Sequence, residues 1–117
     1  MDKIRSYFWL SITLIAGAAR TVNTPIRENG WNGLVAETVA NAGRYALIYS
    51  GDVEVVMAGA SVGTLVYITG TGATITGALT LTATSNTIWG RVREIPNPGV
   101  NEIPAGSAIV NILQPLV

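Results

Sequence analysis

The chain has no cysteine and no histidine among its 117 residues. Without cysteine there is no disulfide framework and no thiolate metal site. Without histidine the commonest general base and the commonest zinc ligand are both missing. Charge is scarce too: 12% of residues are charged, seven basic and seven acidic, against 49% hydrophobic. No basic run exists to follow a phosphate backbone, so no nucleic-acid partner is expected. There is no GxSxG elbow, and no triad can be built without histidine. GTGATITG at 70–77 fails as a dinucleotide fingerprint, because Ile75 stands where the third glycine belongs. No catalytic residue, metal or cofactor is expected, and the chain does not read as an enzyme.

What remains is apolar and rich in Val, Ile and Thr, the length of one domain. From Arg44 onward it reads as strands: RYALIYS, DVEVVMA, GTLVYIT, ATITGALTLTAT, NTIWGRVREI and SAIVNIL. Ser50-Gly51, Gly59, Gly63, Gly70-Thr71-Gly72 and Ser85-Asn86 punctuate them as turns. Pro96, Pro98 and Pro104 forbid a central strand and predict a longer loop. Leu34–Ala40 reads equally as helix or strand, with Asn32 as a possible N-cap and Gly43 as a possible C-cap. The expected fold is all-β, a small β-barrel or β-sandwich with an extended N-terminal arm. We divide it into an arm over residues 1–30 and a barrel over residues 31–117.

Polar residues on the strands have plain explanations. Asp52 and Glu54 share one face of a strand and read as a solvated face or an edge guard. Glu94 and Glu102 flank the proline loop and read as solvent-facing. Arg91 and Arg93 alternate around Val92, as on the outer face of a barrel, and are also candidates for a partner's carboxylates. Trp89 beside Gly90 implies close packing over the glycine, by the domain's own core or by a subunit.

Residues 44–114 as a set resemble the small β-barrel decoration, or cement, proteins of tailed-phage capsids. The matching residues are Gly63, Val66, Tyr67, Gly72, Gly90, Arg91, Val92, Gly106, Val110 and Ile112. The resemblance implies a homotrimer on the capsid exterior at threefold or quasi-threefold points. Its partners would be further copies of itself and the major capsid protein. Its task would be to bridge capsomers and stiffen the shell against DNA pressure.

The N-terminal stretch SYFWLSITLIAGAA departs from that family's lead-in by being longer and more apolar. Tyr7–Ala19 is too short to span a membrane, which takes about 20 apolar residues. Lys3, Arg5 and the small residues Ala16-Gly17-Ala18 give it features of a signal peptide. Its alternation gives the reading adopted here, an ordered strand or arm. Phe8, Leu10, Ile12 and Leu14 form one uniformly apolar side, opposite Tyr7, Trp9, Ser11, Thr13 and Ile15. Tyr7, Phe8, Trp9, Leu10, Ile12 and Leu14 are therefore the expected arm contacts, with Trp89, Arg91 and Arg93 as contacts from the body. Residues 1–28 carry Lys3, Arg5, Arg20 and Arg27 against Asp2 and Glu28. The rest carries Arg44, Arg91 and Arg93 against Glu37, Asp52, Glu54, Glu94 and Glu102. A mildly basic arm on a mildly acidic body suits association. The alternative is a glycan- or host-surface-binding module, for which Trp31, Tyr45, Tyr49, Tyr67 and Trp89 would supply stacking rings.

Overall fold

Nine β-strands, β1 (Leu10–Ile15), β2 (Pro25–Glu28), β3 (Trp31–Val35), β4 (Arg44–Ser50), β5 (Asp52–Val56), β6 (Leu65–Ile68), β7 (Leu79–Thr80), β8 (Thr87–Glu94) and β9 (Ser107–Ile112), make up the computed structural model, which describes residues 9–115. All pair antiparallel, in a four-stranded sheet ordered β1-β4-β3-β2 and a five-stranded sheet ordered β5-β9-β8-β6-β7. The two sheets curl into a small half-barrel with a sandwich-like core, the all-β class expected. No helix occurs among the described residues, so the ambiguous Leu34–Ala40 resolves into the end of β3 and a loop. Five of the six expected runs from Arg44 onward form strands of four residues or more.

The Thr-rich run is the exception, and shrinks to the two residues of β7. Its first half crosses to the other sheet instead. The Ile75 N–H donates to the Arg27 carbonyl at 2.8 Å, and the Arg27 N–H donates to the Ile75 carbonyl at 2.9 Å. Gly77 lies so close to the Thr69 backbone that an added Cβ would meet Thr69 O at 2.5 Å. A straight strand with side chains at every position does not fit there.

The turn between β2 and β3 is Asn29-Gly30, with φ of 50° and 84°. Two positive φ values mark the type I′ turn, whose twist matches that of the strands it joins. The boundary expected between residues 30 and 31 falls at the end of this turn, and β1 and β2 are both strands of the four-stranded sheet. Residues 10–28 thus belong to the body of the fold, held by ladder hydrogen bonds to β4 and β3.

The central strands of that sheet, β3 and β4, are buried on both faces. Leu34 and Ile48 point into the main core beside Val53, Val66, Trp89, Val110 and others of the five-stranded sheet. Their chain neighbours Val35 and Leu47 point the opposite way, as alternation demands, into a second core with Ala16, Ile26 and Tyr45. Ile12, Leu14 and Val39 pack against this second core. Its cover is the β1–β2 crossover and the β3–β4 loop, tied by paired backbone bonds between Arg20 and Val39.

Trp89 is the largest fully buried side chain. Its indole N–H donates to the Ile26 carbonyl at 3.0 Å and so joins the sheets. A second joint is made of amides. Asn32, fully buried, donates from Nδ2 to the carbonyls of Ile88 at 2.7 Å and Leu113 at 2.8 Å. Gln114 Nε2 donates to the carbonyls of Asn32 at 2.7 Å and Tyr49 at 2.8 Å, while its Oε1 accepts from the Asn32 N–H at 2.8 Å. Buried amides satisfied this way fix one arrangement of the sheets, because any slip would strand several polar groups at about 1–3 kcal/mol each.

Candidate functional site

The expected contact residues separate once the fold is known. Tyr7 and Phe8 lie outside the described residues. Ile12 and Leu14 turn inward and are half-buried against the second core of this chain. Trp9 and Leu10 are exposed, as is Ile15, which alternation sets on the side opposite Leu10, Ile12 and Leu14. At Leu10 the pairing with β4 is irregular: Leu10 faces Ser50 and Ser11 faces Ile48, which leaves Tyr49 as an extra residue of β4. Among the described residues β1 is an edge strand of its sheet.

Trp89 is withdrawn from the body contacts, since it is sealed in the core under β9. Beside it, Gly90 leaves room for β9: an added Cβ would meet Val110 Cγ1 and, at 2.7 Å, the Asn111 carbonyl. Arg91 and Arg93 are exposed on the outer face around buried Val92, as alternation predicts. The Arg91 guanidinium donates to the Gly63 carbonyl at 2.7 Å and braces the β5–β6 loop. Asp52 and Glu54 do not form a solvated face. Glu54 is buried opposite buried Ile109, and half-buried Asp52 accepts a 2.9 Å hydrogen bond from Asn111 Nδ2. Glu94 and Glu102 are exposed beside the proline loop.

The antiparallel order of β5, β9, β8 and β6 brings the β5–β6 and β8–β9 loops to one end of the five-stranded sheet. Three valines stand out there: Val56 is 83% exposed, Val62 63% and Val100 76%. The loops carrying them are firmly held. The Gly63 N–H donates to the Val92 carbonyl at 2.8 Å and the Met57 N–H to the Gly106 carbonyl at 2.9 Å. Asn101 Oδ1 accepts from the Asn97 N–H at 3.0 Å, and Asn101 Nδ2 donates to the Ile95 carbonyl at 3.0 Å. Apolar side chains on preset loops lose little freedom when covered, which favours binding.

Two clefts adjoin this end. One of about 390 Å³ is lined by Asn23, Pro25, Glu54, Val55, Val56, Ala78 and Leu79. The next, of about 540 Å³, runs along residues 56–58 and 79–82 to Gly106. They share Val56 and Leu79. Together they form a groove between β5 and β7, the two edge strands of the five-stranded sheet.

The one cluster with acid–base character lies elsewhere. Arg20 Nε and Nη2 donate to Glu28 Oε1 and Oε2 at 3.1 and 3.0 Å, and the Tyr45 hydroxyl donates to Oε1 at 2.9 Å. The side chains of Arg20 and Glu28 are 7% and 2% exposed. Burial pushes the Glu28 carboxyl up, but the Arg20 and Tyr45 hydrogen bonds, the Arg20 charge and the Gly17 N–H together leave it below its ordinary value. Burial and the Glu28 carboxylate raise the Tyr45 hydroxyl. The hydrogen bond to Glu28 keeps Arg20 more firmly protonated. Arg20 borders a cleft of about 340 Å³ with Ala18, Ala19, Thr21, Thr24, Ile26 and Thr76, whereas Glu28 and Tyr45 do not line it, and the hydrogen bonds within the cluster join β2 to β4 and to the loop before β2. Sequence reading missed it because the three residues come from different segments and pair only after β1 and β2 join the sheet.

Among the described residues no group of three or more acidic side chains is placed to hold a metal ion, and no helix is long and apolar enough to cross a membrane. Among the described residues Tyr45 and Trp89 are buried, Tyr67 is on the other sheet from Trp31 and Tyr49, and Trp31 and Tyr49 pair edge to face at 5.2 Å and 68°. Comparison with known protein families, with curated proteins and with solved structures finds no match for this chain.

Proposed function

We propose that this chain is a structural adhesion protein, a decoration protein that binds the outer surface of a phage capsid as a homotrimer and stabilises the shell. The observation that carries the reading is the display of Val56, at the end of β5, and of Val62 and Val100, on braced loops, at one end of the five-stranded sheet. Scattered exposed valines are ordinary, but three gathered at one end beside an apolar groove suit a contact surface. Trp9, Leu10 and Ile15 give β1 a second surface, so one could serve the trimer and the other the shell. Each valine covered contributes about 1.5 kcal/mol or more before association costs, and a trimer presents three copies to a symmetric site. The capsid enters through the resemblance of residues 44–114 to cement proteins, with the major capsid protein as partner and the virion exterior as location.

The alternative, a glycan- or host-surface-binding module, needs a shared ring platform, and the scatter of the rings weighs against it. Size-exclusion chromatography with multi-angle scattering tests the leading reading. The expected mass is three times the 12.2 kDa chain. A species that stays monomeric at high concentration overturns the trimer, and binding to immobilised glycans by such a monomer would favour the alternative.

A further inference from the structure

The tip of the β2–β3 hairpin is pinned to the loop between β6 and β7. The Gly30 N–H donates to the Ala73 carbonyl at 2.8 Å, and the Asn29 N–H to Thr74 Oγ1 at 3.3 Å. Arg27, two residues before the turn, donates from Nε to the Gly72 carbonyl at 3.1 Å and from Nη1 to Asn32 Oδ1 at 3.2 Å. Beside it lies a cavity of about 330 Å³ lined by Arg27, Asn29, Gly30, Trp31, Gln114 and Pro115. No acidic residue lines it, and Arg27 is the one charged residue of its wall.

We propose that this cavity binds a small organic monocarboxylate, with the carboxylate on the Arg27 guanidinium and a ring-shaped body against Trp31 and Pro115. Three observations support it. The first is an excess of donors. Arg27 Nη2, the Asn29 side-chain amide and the Trp31 indole N–H have no acceptor among the described residues, while Gln114 Oε1 is already occupied by the Asn32 N–H. The second is charge. Arg27 is half-buried with no carboxylate in ion-pair reach among the described residues, unlike Arg20 with its partner Glu28. Burial alone lowers the Arg27 guanidinium from its ordinary value, whereas Glu28 raises that of Arg20. A single cation is matched by a single negative charge, which fits a carboxylate better than a phosphate dianion. The third is that the wall is preset. Arg27 is fixed by two hydrogen bonds, Trp31 by its edge-to-face contact with Tyr49 and Gln114 by its bonds to Asn32 and Tyr49, so little freedom is lost on binding. The volume is near the lower end for ligand pockets, about 300–1,000 Å³, which limits the ligand to about one ring. None of Val56, Val62 and Val100 lines the cavity, and the proposal does not depend on the capsid reading.

Titration of the isotope-labelled full-length chain with benzoate at pH 7, followed by nuclear magnetic resonance at the Trp31 indole N–H and the Gly30 amide, tests it. Saturating shifts at both are expected, with neutral benzamide at least about tenfold weaker, because a hydrogen bond to a charged group is the stronger kind. Glucuronate carries the same carboxylate on a hydroxylated ring. Saturable binding of either acid supports the site, and the tighter one shows whether the body is aromatic or sugar-like. Arg27→Gln should abolish saturation. Since Arg27 also braces Gly72 and Asn32, Asn29→Asp is the second variant. It sets a carboxylate in the wall and keeps the turn, because aspartate also tolerates positive φ, and it should weaken benzoate about tenfold. No saturable shift with either acid, benzamide binding as tightly as benzoate, or unchanged affinity in Asn29→Asp overturns the proposal. Inorganic phosphate binding more tightly than both acids overturns its assignment to a carboxylate.

Discussion

The two sheets use their side chains in opposite ways. The four-stranded sheet buries both faces of its central strands, β3 and β4, and holds a buried ion pair between Arg20 and Glu28 under Tyr45. The five-stranded sheet has one main core and turns valines outward at its loop end. A buried ion pair is the less common feature of the two, since charged residues are rarely fully buried unless paired. The difference separates cohesion from display. Changes in the first sheet should act on stability, and changes at the loop end of the second should act on association.

The largest expected effect is at the ion pair. Glu28→Gln leaves Arg20 buried without its counter-charge and should cost about 3–5 kcal/mol, read as a lower urea midpoint at pH 7. The pH dependence gives a sharper check. The folded Glu28 carboxyl lies below its ordinary 4.5, so its stabilisation is present above 4.5 and is lost as pH falls through the lower folded value. The gap between the parent chain and Glu28→Gln should therefore shrink below pH 4.5. Tyr45 behaves in reverse. Its hydroxyl is raised above the ordinary 10.0, so its share holds below pH 10 and is lost as pH climbs toward the folded value. A gap that stays constant into acid would mean that Glu28 supports the sheet by shape alone.

The hairpin that delivers Glu28 comes next. Gly30 adopts φ of 84°, where a Cβ costs about 1–2 kcal/mol, so Gly30→Ala should destabilise by that amount and not more. An added Cβ at Gly30 meets nothing closer than Arg27 Nη2 at 3.9 Å, so the cost is conformational and not steric. A larger loss would mean that the turn sets the register of the whole four-stranded sheet.

This hairpin also shows where sequence reading stops. β4, β5, β6, β8 and β9 were legible because Val, Ile, Thr and Tyr run between glycine, serine and proline turns. Asn29-Gly30 is as strong a local signal, yet Pro25, Asn32 and Gly33 around it dilute the strand pattern, and Asn32 read instead as a helix cap. Its actual role, bonding β8 and the chain after β9, rests on contacts 56 and 81 residues away that no local pattern encodes. Ile12 and Leu14 were correctly set on an apolar side, but periodicity cannot say whether that side meets the chain's own core or another molecule. Arg91 and Arg93 kept their expected outward face because buried Val92 between them fixes the phase.

The smallest expected effect on stability is at the loop end, where the expected effect on association is greatest. Val62→Asp and Val100→Asp change side chains that touch little of their own fold, so each should shift stability by no more than about 0.5 kcal/mol. If these valines are contacts, each should weaken trimer formation or capsid binding about tenfold or more, since an aspartate there would bury an unpaired charge. Ile15→Asp, on the exposed side of β1, separates the two surfaces. Loss of the trimer by Ile15→Asp and of capsid binding by the valine changes would divide the tasks between the sheets. Loss of both functions at one site would place them on a single surface, and no loss at any of the three would leave the outward valines without the role that their braced loops suggest.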